Sequence, residues 1–502
     1  MEQLDPDICY RVLQTRDPRL DGRLFVGVTS TGIYCRPICP ARTPKREHCR
    51  FFPTAAAAQD AGFRACLRCR PEISPELACS RGTSNSVSRA LALIADGFLD
   101  QENGTVEALA TRVGMGERQL RRLFEQHLGA SPVAVAQTRR VLFAKQLIHD
   151  TRLSMAEVAM ASGFGSLRRF NDTFRTLYHR PPRELRRRAA CSVLDSPSLA
   201  PVKLYMAYRP PYDWDAMLSY LNARAIDGME YVEHGIYQRT VSHEGGDGMV
   251  TVAHAPDRHA LVVTIRFPGV RALHTIVARV RHLFDVGADV STITAHLAED
   301  QTLAPLIASR PGLRTPGCWD GFELAVRAVL GQQISVEAAR QLASRLVLLC
   351  GEQIRQAANP RLVRTFPPPQ CVATVDMSRI GMPKSRRATL QALAQAAVSN
   401  PRLFEPQGSL EDSIARLRAI RGIGPWTAQY IALRALRDPD AFPVTDLGIL
   451  RGAASLVGVV PSTPQLIQRA EAWRPWRAYA AQYLWTIDSR TLHKPSEAHH
   501  AK

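Results

Sequence analysis

Four cysteines near the N-terminus constrain the fold of this chain more than any other feature. Three residues separate Cys35 from Cys39, two separate Cys66 from Cys69, and 26 residues lie between the two pairs. Two short cysteine pairs joined by a loop can bring four thiolates to one tetrahedral Zn²⁺. The intervening segment 54–63 has the composition of a short helix with a threonine cap. The pattern predicts a small domain built around one zinc ion.

Composition favours metal ligands over disulfide bonds. The chain has 11 cysteines in 502 residues, and its start lacks the basic residues and apolar core of a signal peptide. No apolar run approaches the length that spans a bilayer. We therefore expect a cytoplasmic protein with reduced thiols and no membrane partner. From spacing alone, a closed structural zinc site and a site with a reactive sulfur both remain open.

Positive charge is concentrated in one segment. The formal net charge is +18, and 58 of the 64 basic residues are arginines, whose guanidinium groups suit bidentate phosphate binding. Residues 112–188 contain 16 basic and 6 acidic side chains. This excess favours a polyanionic partner, with nucleic acid as the first candidate.

The same segment contains an internal repeat. Residues 109–132 match residues 158–182, and Gly114 and Gly163 stand where a helix-turn-helix needs a tight turn. The second helix of each copy is predicted near 116–128 and 166–178. Apolar residues recur every four positions on these helices, as one helix face requires: Leu120, Phe124 and Leu128 in the first, and Phe170, Phe174 and Tyr178 in the second.

The opposite face of each predicted helix carries side chains that read base edges and phosphates in a major groove. They are Arg118, Gln119, Arg121 and Arg122 in the first copy, and Arg168, Arg169 and Asn171 in the second. A solvated basic face on an ordinary helical pair would have the same composition. Two copies about 50 residues apart, joined by a helix-like segment, resemble the DNA-binding module of the AraC/XylS family of transcription activators. The resemblance implies sequence-specific binding to double-stranded DNA.

The cysteine-containing stretches 25–42 and 61–72 resemble the N-terminal domain of the Ada family of bacterial adaptive-response regulators. In that family the first cysteine of the set is a zinc ligand and accepts a methyl group from DNA methyl phosphotriesters, which implies the same role for Cys35. Zinc coordination keeps the sulfur as a thiolate, its nucleophilic form. The resemblance also suggests Thr31, Arg42 and Arg68 as phosphate contacts.

Methylation of Cys35 implies a change of charge. Four thiolates around one Zn²⁺ leave a net negative charge that repels DNA, and converting one thiolate to a thioether halves that charge. We expect DNA affinity to rise without a large conformational change. The Ada family also carries a methyltransferase domain with a Pro-Cys-His-Arg motif, and none of the remaining cysteines after the repeat has that context: Cys191, Cys318, Cys350 and Cys371. Activity on O6-alkylguanine is expected to be absent.

The second half of the chain begins after a linker predicted at 189–203, which is small, polar and proline-containing. Segments 248–255 and 260–267 alternate as strands do. With helical stretches near 214–225 and 270–284 they indicate a small α+β domain. From about residue 291 onward the pattern is almost entirely helical.

The most informative motif of this half is the turn "GIG" at Gly422–Gly424, between two apolar helical segments. Such a turn can direct backbone N–H groups and a helix N-terminus at a phosphate, although an ordinary helix–helix turn has the same sequence. Asp446 follows Trp426 by 20 residues. The combination resembles the helix-hairpin-helix DNA glycosylase superfamily, most closely its AlkA-type 3-methyladenine glycosylases, over about 204–490.

This resemblance implies a catalytic role for Asp446. Breaking an N-glycosidic bond builds positive charge on the sugar, which a carboxylate stabilises, and the same group can activate water as a general base. Members that also cleave the strand carry a lysine just after the hairpin glycines, where this chain has Trp426. A monofunctional glycosylase is therefore expected.

Base recognition requires a pocket for the flipped base. Alkylated purines such as 3-methyladenine are cationic, so electron-rich rings can select them. Alignment with AlkA-type enzymes suggests Trp426, Tyr430 and Trp485 for this role, although aromatic residues at helical spacing also form ordinary cores. Those enzymes place a leucine wedge at the position that Gln333 occupies here, and several have an aromatic residue where this chain has Leu447.

The expected fold class is multidomain α+β: a small zinc domain, an all-α double helix-turn-helix domain, a TBP-like α+β subdomain and an all-α helix-hairpin-helix glycosylase domain. The predicted ranges are 1–78, 82–188, 204–290 and 291–492, with a linker at 189–203 and a disordered tail at 493–502.

The expected function is a bifunctional alkylation-damage response. Cys35 would accept methyl groups, the methylated protein would activate repair genes together with RNA polymerase, and the second half would excise alkylated purines. We expect a monomer associated with the nucleoid. Two alternatives stay open: a transcription regulator whose glycosylase fold is an inactive DNA-binding platform, and a glycosylase whose first half only tethers it to DNA.

Overall fold

The computed structural model describes residues 5–74, 85–101, 103–186, 201–244, 246–354 and 359–492. Cys79, Cys191, the predicted tail at 493–502 and most of the predicted linker lie outside these ranges. The described residues form four consecutive units. None of their helices combines the length and the apolar composition needed to cross a membrane.

The first unit is a four-stranded sheet with two helices. Its elements are α1 (Pro6–Thr15), β1 (Phe25–Val28), β2 (Ile33–Cys35), β3 (Cys49–Phe52), α2 (Ala55–Asp60) and β4 (Arg64–Ala65). The strand order is β3-β1-β2-β4, and β2 and β4 run parallel with Tyr34 opposite Ala65. This register places Cys35 and Cys66, the next residue of each chain segment, side by side. The threonine cap predicted for α2 is confirmed, because the Thr54 hydroxyl accepts a hydrogen bond from the Ala57 N–H at 2.9 Å.

The second unit contains six helices and the two predicted helix-turn-helix copies. Its helices are α3 (Asn85–Ala95), α4 (Val106–Arg112), α5 (Glu117–Leu128), α6 (Pro132–Asp150), α7 (Met155–Ala161) and α8 (Leu167–Tyr178). The predicted second helices are confirmed as α5 and α8. Both turn glycines have a φ of +79°, in the left-handed region that a side chain disfavours.

The apolar faces predicted for α5 and α8 form the cores of the two copies. On α8 the rings of Phe170 and Phe174 lie 4.9 Å apart, and those of Phe174 and Tyr178 lie 5.5 Å apart. The long helix α6 joins the two copies and also packs on the first unit, where Ala134 and Leu142 contact the cluster around Tyr34.

The third unit is a five-stranded antiparallel sheet with two helices. Its elements are β5 (Val202–Ala207), α9 (Trp214–Arg224), β6 (Glu230–Glu233), β7 (Ile236–His243), β8 (Gly246–Ala255), β9 (Ala260–Arg266) and α10 (Leu273–Leu283). The strand order is β5-β9-β8-β7-β6. Strand β5 begins at Val202, two residues inside the segment predicted as a linker, because Val202 pairs with Ile265 and is buried.

The fourth unit is helical, as predicted. Its helices are α11 (Val290–Leu297), α12 (Ala304–Ser309), α13 (Gly321–Leu330), α14 (Val336–Cys350), α15 (Pro369–Thr374), α16 (Lys384–Ser399), α17 (Leu410–Arg418), α18 (Pro425–Arg434), α19 (Leu447–Val457), α20 (Thr463–Ala470) and α21 (Arg477–Leu492). One isolated bridge between Gln353 and Arg364 is its only β pairing among the described residues.

The two halves of the chain share a hydrophobic core. Val141 and Ile148 of α6 belong to the same buried cluster as Leu204 and Met206 of β5. A second link is ionic: Asp289 is fully buried and forms ion pairs with Arg23 of the first unit and with Arg209, the latter at 2.6 Å. The halves that the predicted linker connects are therefore also packed directly against each other.

Candidate functional site

The four predicted cysteine ligands come together in the first unit. Their sulfur atoms all lie within 4.8 Å of one another, and within the described ranges they are the one such cluster of His, Cys, Asp and Glu side chains. The β2–β4 register brings Cys35 beside Cys66, and the turns after each strand return Cys39 and Cys69 to the same point. Cys35 is the most exposed of the four at 9%, against 5% for Cys39 and 5% for Cys66. Four sulfurs at this separation fit one tetrahedral Zn²⁺.

Hydrogen bonds around the cluster orient its sulfurs. The Arg36 N–H donates to the Cys69 Sγ at 3.4 Å, and the Arg68 N–H donates to the Cys66 Sγ at 3.3 Å. The buried Arg36 guanidinium donates to Asp21 at 2.8 Å and to the Cys69 carbonyl at 3.1 Å. Such outer contacts fix metal ligands in place.

The cluster is also tied to α6 of the second unit. Lys145, which is fully buried, donates to the Cys66 carbonyl at 2.8 Å and to Glu72 at 2.6 Å. Burial lowers the pKa of Lys145, and the charge of Glu72 opposes that shift. Sequence analysis did not predict the contacts of Lys145. The feature that could have indicated them is a single lysine among the apolar residues of α6.

The three predicted phosphate contacts of this unit surround the cluster and are exposed. Thr31 lies in the β1–β2 turn, Arg42 follows Cys39, and Arg68 lies between Cys66 and Cys69. Their side chains are available to a ligand, and their contact with phosphate stays a prediction.

The predicted base-reading residues lie on α5 and α8. All except Asn171, which is half-buried, are exposed: Arg118, Gln119, Arg121, Arg122, Arg168 and Arg169. Arg121 pairs with Glu117 at 2.6 Å and Arg168 with Asp172 at 3.8 Å, both along their own helices. Exposed pairs of this kind are weak and exchange readily for a phosphate.

One feature beside α8 was not anticipated. A groove of about 550 Å³ separates α8 from α2 of the first unit, and Arg168, Arg169 and Asp60 line it. Helix α8 therefore faces a cleft that it shares with the first unit.

In the fourth unit, α17 and α18 form the predicted hairpin. Gly422 has a φ of +86°, and a Cβ there would lie 1.9 Å from the Thr389 hydroxyl oxygen, so only glycine fits. Gly424 is the N-cap of α18, makes no side-chain capping bond and has open space around it. The N–H groups of Trp426 and Thr427, which follow the proline at the start of the helix, thus remain available to an anion.

Asp446 lies at the N-terminus of α19 and accepts four hydrogen bonds. Oδ1 accepts from the backbone N–H groups of Gly448 and Ile449 at 2.9 and 3.1 Å. Oδ1 also accepts from the Trp485 indole at 2.8 Å, and Oδ2 accepts from the Trp426 indole at 2.7 Å. These contacts fix the half-buried carboxylate in one orientation.

The three predicted pocket aromatics meet at this carboxylate. Trp426 and Tyr430 are stacked with centroids 5.4 Å apart, and the edge of Trp485 meets Tyr430 at 6.3 Å. The sequence suggested stacking on a base as their role. The structure adds another: the two indole groups orient Asp446.

A buried arginine beneath these rings was missed from the sequence. The Arg434 guanidinium lies 4.9 Å from the centroid of Trp485 and 5.7 Å from that of Tyr430. It donates to the Pro316 carbonyl at 2.8 Å and to Gln482 at 2.9 Å. The sequence feature that could have indicated this arginine is its position four residues after Tyr430, on the apolar face of α18.

Gln333, at the predicted wedge position, lies in the loop between α13 and α14. Its side chain is exposed and its φ is +58°. Leu447, directly after Asp446, is 66% exposed.

Four family models match the chain. They are described as the metal binding domain of Ada at residues 8–72, a helix-turn-helix domain at 109–188, the AlkA N-terminal domain at 203–320, and the HhH-GPD superfamily of base excision DNA repair proteins at 326–478. The Ada-type domain and the four-sulfur cluster together identify one Zn²⁺ site.

A relative from Mycobacterium tuberculosis strain H37Rv is 41% identical over 96% of this chain and 96% of its own length, and is described as a probable bifunctional transcriptional activator/DNA repair enzyme AlkA. The chain belongs to this bifunctional AlkA family. Each half of the bifunctional AlkA chain also has separate relatives. The Escherichia coli DNA-3-methyladenine glycosylase 2 is 35% identical over 55% of this chain and 95% of its own, and the Escherichia coli Ada protein is 38% identical over 27% of this chain and 37% of its own.

A solved structure agrees with the fold of the second half of this bifunctional AlkA chain. The 3-methyladenine DNA-glycosylase from Archaeoglobus fulgidus matches 57% of the chain and 98% of its own length, with a TM-score of 0.51 and 20% identity.

Proposed function

We propose that this protein senses DNA methylation through Cys35, activates transcription, and excises alkylated purines of the 3-methyladenine class. The observation that carries the proposal is the Asp446 carboxylate, which two indole groups and a helix N-terminus hold next to an uncapped hairpin helix. The same chain carries a four-sulfur cluster and two exposed recognition helices.

In the proposed excision, the hairpin binds the DNA backbone and the target base leaves the stack for the space beside the aromatic cluster. Asp446 stabilises positive charge as the N-glycosidic bond breaks, and it accepts a proton from the attacking water. Trp426 stands where a strand-cleaving enzyme would carry a lysine, which favours a monofunctional reaction that leaves an abasic site.

In the proposed sensing reaction, the Cys35 sulfur attacks the methyl carbon of a phosphotriester. The carbon–oxygen bond breaks, a thioether forms, and the phosphodiester oxygen leaves as an anion. Zn²⁺ held by the four cysteines would keep Cys35 as a thiolate at neutral pH. In this proposal the transfer is stoichiometric, and each chain reacts once. Thr31, Arg42 and Arg68 would hold the phosphate.

Loss of one negative charge at Cys35 reduces repulsion between the first unit and DNA. The exposed residues of α5 and α8 would then bind a promoter, with RNA polymerase as the protein partner and a monomer as the active form. The hydrogen bond from Lys145 of α6 to the Cys66 carbonyl holds the first and second units together, which supports binding of both units to one duplex.

The first experiment is to incubate the zinc-loaded protein with duplex DNA carrying radiolabelled methyl groups and to locate the label. We expect it both on Cys35 and in released methylated bases. Label in free bases alone would reduce the first half to a tether, and label on Cys35 alone would reduce the second half to a binding platform.

Matched variants separate the two reactions. Cys35→Ala should abolish protein labelling and leave base release intact, whereas Asp446→Asn should do the reverse. Peptide mapping of the labelled protein identifies the acceptor, and methyl transfer to another cysteine would refute the role of Cys35.

A further inference from the structure

Gln333, at the predicted wedge position, has a backbone conformation that residues with a side chain rarely adopt. Its φ of +58° lies in the left-handed region, where a residue with a Cβ is uncommon. Its side chain is exposed. The surroundings of the loop must therefore hold this conformation.

The preceding residue, Gln332, makes hydrogen bonds through both its side chain and its backbone carbonyl. Its side-chain amide donates to the Gly422 carbonyl of the hairpin at 3.1 Å and to the Thr427 hydroxyl of α18 at 3.0 Å. Its own carbonyl, which belongs to the peptide group joining it to Gln333, accepts from the Arg386 guanidinium of α16 at 2.5 Å. One residue thus connects the wedge loop to three separate parts of the fourth unit.

We infer that Gln332, together with Arg386, positions the wedge Gln333 relative to the hairpin, so that backbone binding and base extrusion occur in one register. The inference rests on the proposed glycosylase function and on the predicted wedge role of Gln333, and it assigns Gln332 no contact with the reacting atoms. Its amide group is required as a donor, because a carboxylate at the same place would face two oxygen atoms. A base that needs no extrusion would gain nothing from this arrangement.

The test compares single-turnover release of 3-methyladenine from duplex and single-stranded oligonucleotides of the same sequence. We expect Gln332→Ala and Gln332→Glu to slow release from the duplex by about tenfold or more, because a small misplacement of a positioned group has a large kinetic effect. Release from the single strand should change by less than about twofold. Arg386→Ala should show the same selectivity in weaker form. Gln341→Ala is the matched control, since Gln341 is an exposed helical glutamine that binds Glu337.

The fluorescence of 2-aminopurine placed beside the lesion reports extrusion independently of chemistry. In the Asp446→Asn background, adding Gln332→Ala should remove the fluorescence increase. Equal loss of release from both substrates, or unchanged release from the duplex, would overturn the inference. Failure of the unaltered protein to release base from either substrate would instead refute the proposed glycosylase function. Circular dichroism of Gln332→Glu and Arg386→Ala confirms that a loss does not reflect unfolding.

Discussion

Asp446 illustrates how much of this protein's chemistry depends on single hydrogen bonds. Its two oxygens accept from α18, from α21 and from the first turn of its own helix α19. Three helices therefore meet at one carboxylate, and a shift of any of them would change its orientation, which the proposed excision depends on. Trp426 also stacks on Tyr430, so the carboxylate and the predicted base-binding rings are held together by the same contacts.

The Asp446→Asn substitution removes the negative charge and keeps the shape and the helix cap. We expect base release to fall by about a hundredfold or more, since electrostatic stabilisation of the sugar cation is lost. Zinc content and promoter binding should be unchanged. Release of 3-methyladenine measured under single-turnover conditions checks this prediction, and a variant within tenfold of the unaltered protein would show that another group catalyses the reaction.

The indole donors can be tested without removing their rings. Trp426→Phe and Trp485→Phe each delete one hydrogen bond to Asp446 and keep an aromatic face. Because a hydrogen bond to a charged group contributes about 1.5–3 kcal/mol, we expect the rate of base release to fall about tenfold or more while substrate affinity changes little. A variant that loses affinity at an unchanged rate would mean that the ring acts only by stacking. Trp473→Phe, which deletes an indole donor to Asp300 instead, is the control.

At the scale of elements, the hairpin turn between α17 and α18 offers a matched pair of glycines. Gly422→Ala places a methyl group into Thr389 at a positive φ, whereas Gly424→Ala places one into open space. We expect the first to destabilise the fourth unit by about 2 kcal/mol and to abolish duplex binding. The second should cost well under about 1 kcal/mol. Urea unfolding and binding to an abasic duplex measure both, and equal effects would contradict a special role for the turn geometry.

The contact between α20 and the loop after α11 predicts a pH dependence. Burial alone would raise the pKa of Asp300, but hydrogen bonds from Thr302, Trp473 and Arg469 together lower it to about 2. A carboxyl with a lowered folded-state pKa stabilises the fold above its unfolded pKa of about 4 and loses that contribution as the pH falls towards about 2. We expect Asp300→Asn to lower the free energy of unfolding by about 2 kcal/mol at pH 7, with the difference from the unaltered protein shrinking below pH 4. A difference that stays constant with pH would exclude the charge of Asp300 as its source.

Sequence patterns predicted the elements better than their contacts. The helix-turn-helix helices, the capped α2 and the paired cysteines follow from local periodicity and spacing, which single residues such as Gly114 and Thr54 report directly. Lys145, Arg434 and Gln332 escaped prediction because their partners lie far away in sequence, at Glu72, Pro316 and Gly422. The hydrogen bond from Trp426 to Asp446 was not predicted for the same reason, because the two residues are close in space but 20 residues apart in sequence.

At the scale of the whole molecule, the two halves are one packed body among the described residues. Core residues of α6 and β5 belong to one cluster. Asp289, at the start of α11, pairs with Arg23 of the first unit and with Arg209, which follows β5. Further ion pairs cross the same boundary, at Arg112 with Glu405 and at Arg89 with Asp438, the latter at 3.5 Å.

This packing predicts that both halves unfold together. Asp289→Asn keeps the cap of α11 and removes the charge between Arg23 and Arg209. We expect a loss of about 3 kcal/mol, because the buried Arg209 guanidinium and the partly exposed Arg23 guanidinium both lose their carboxylate. Calorimetry of the zinc-loaded protein should show one transition at a lower temperature. Glu337→Gln, which alters an exposed pair, should leave it within about 0.5 kcal/mol. Two transitions, of which only one moves, would mean that the halves are independent.

The shared core also fixes the ratio of the two halves in the cell. In the proposed function, a cell that makes this protein produces one methyl sensor for every glycosylase, and the amount of one cannot change without the other. A chain methylated at Cys35 would keep its excision site and would therefore remain a repair enzyme until growth dilutes it. The number of methylated chains and the number of glycosylases present during recovery would then both reflect the same past exposure to methylating agents.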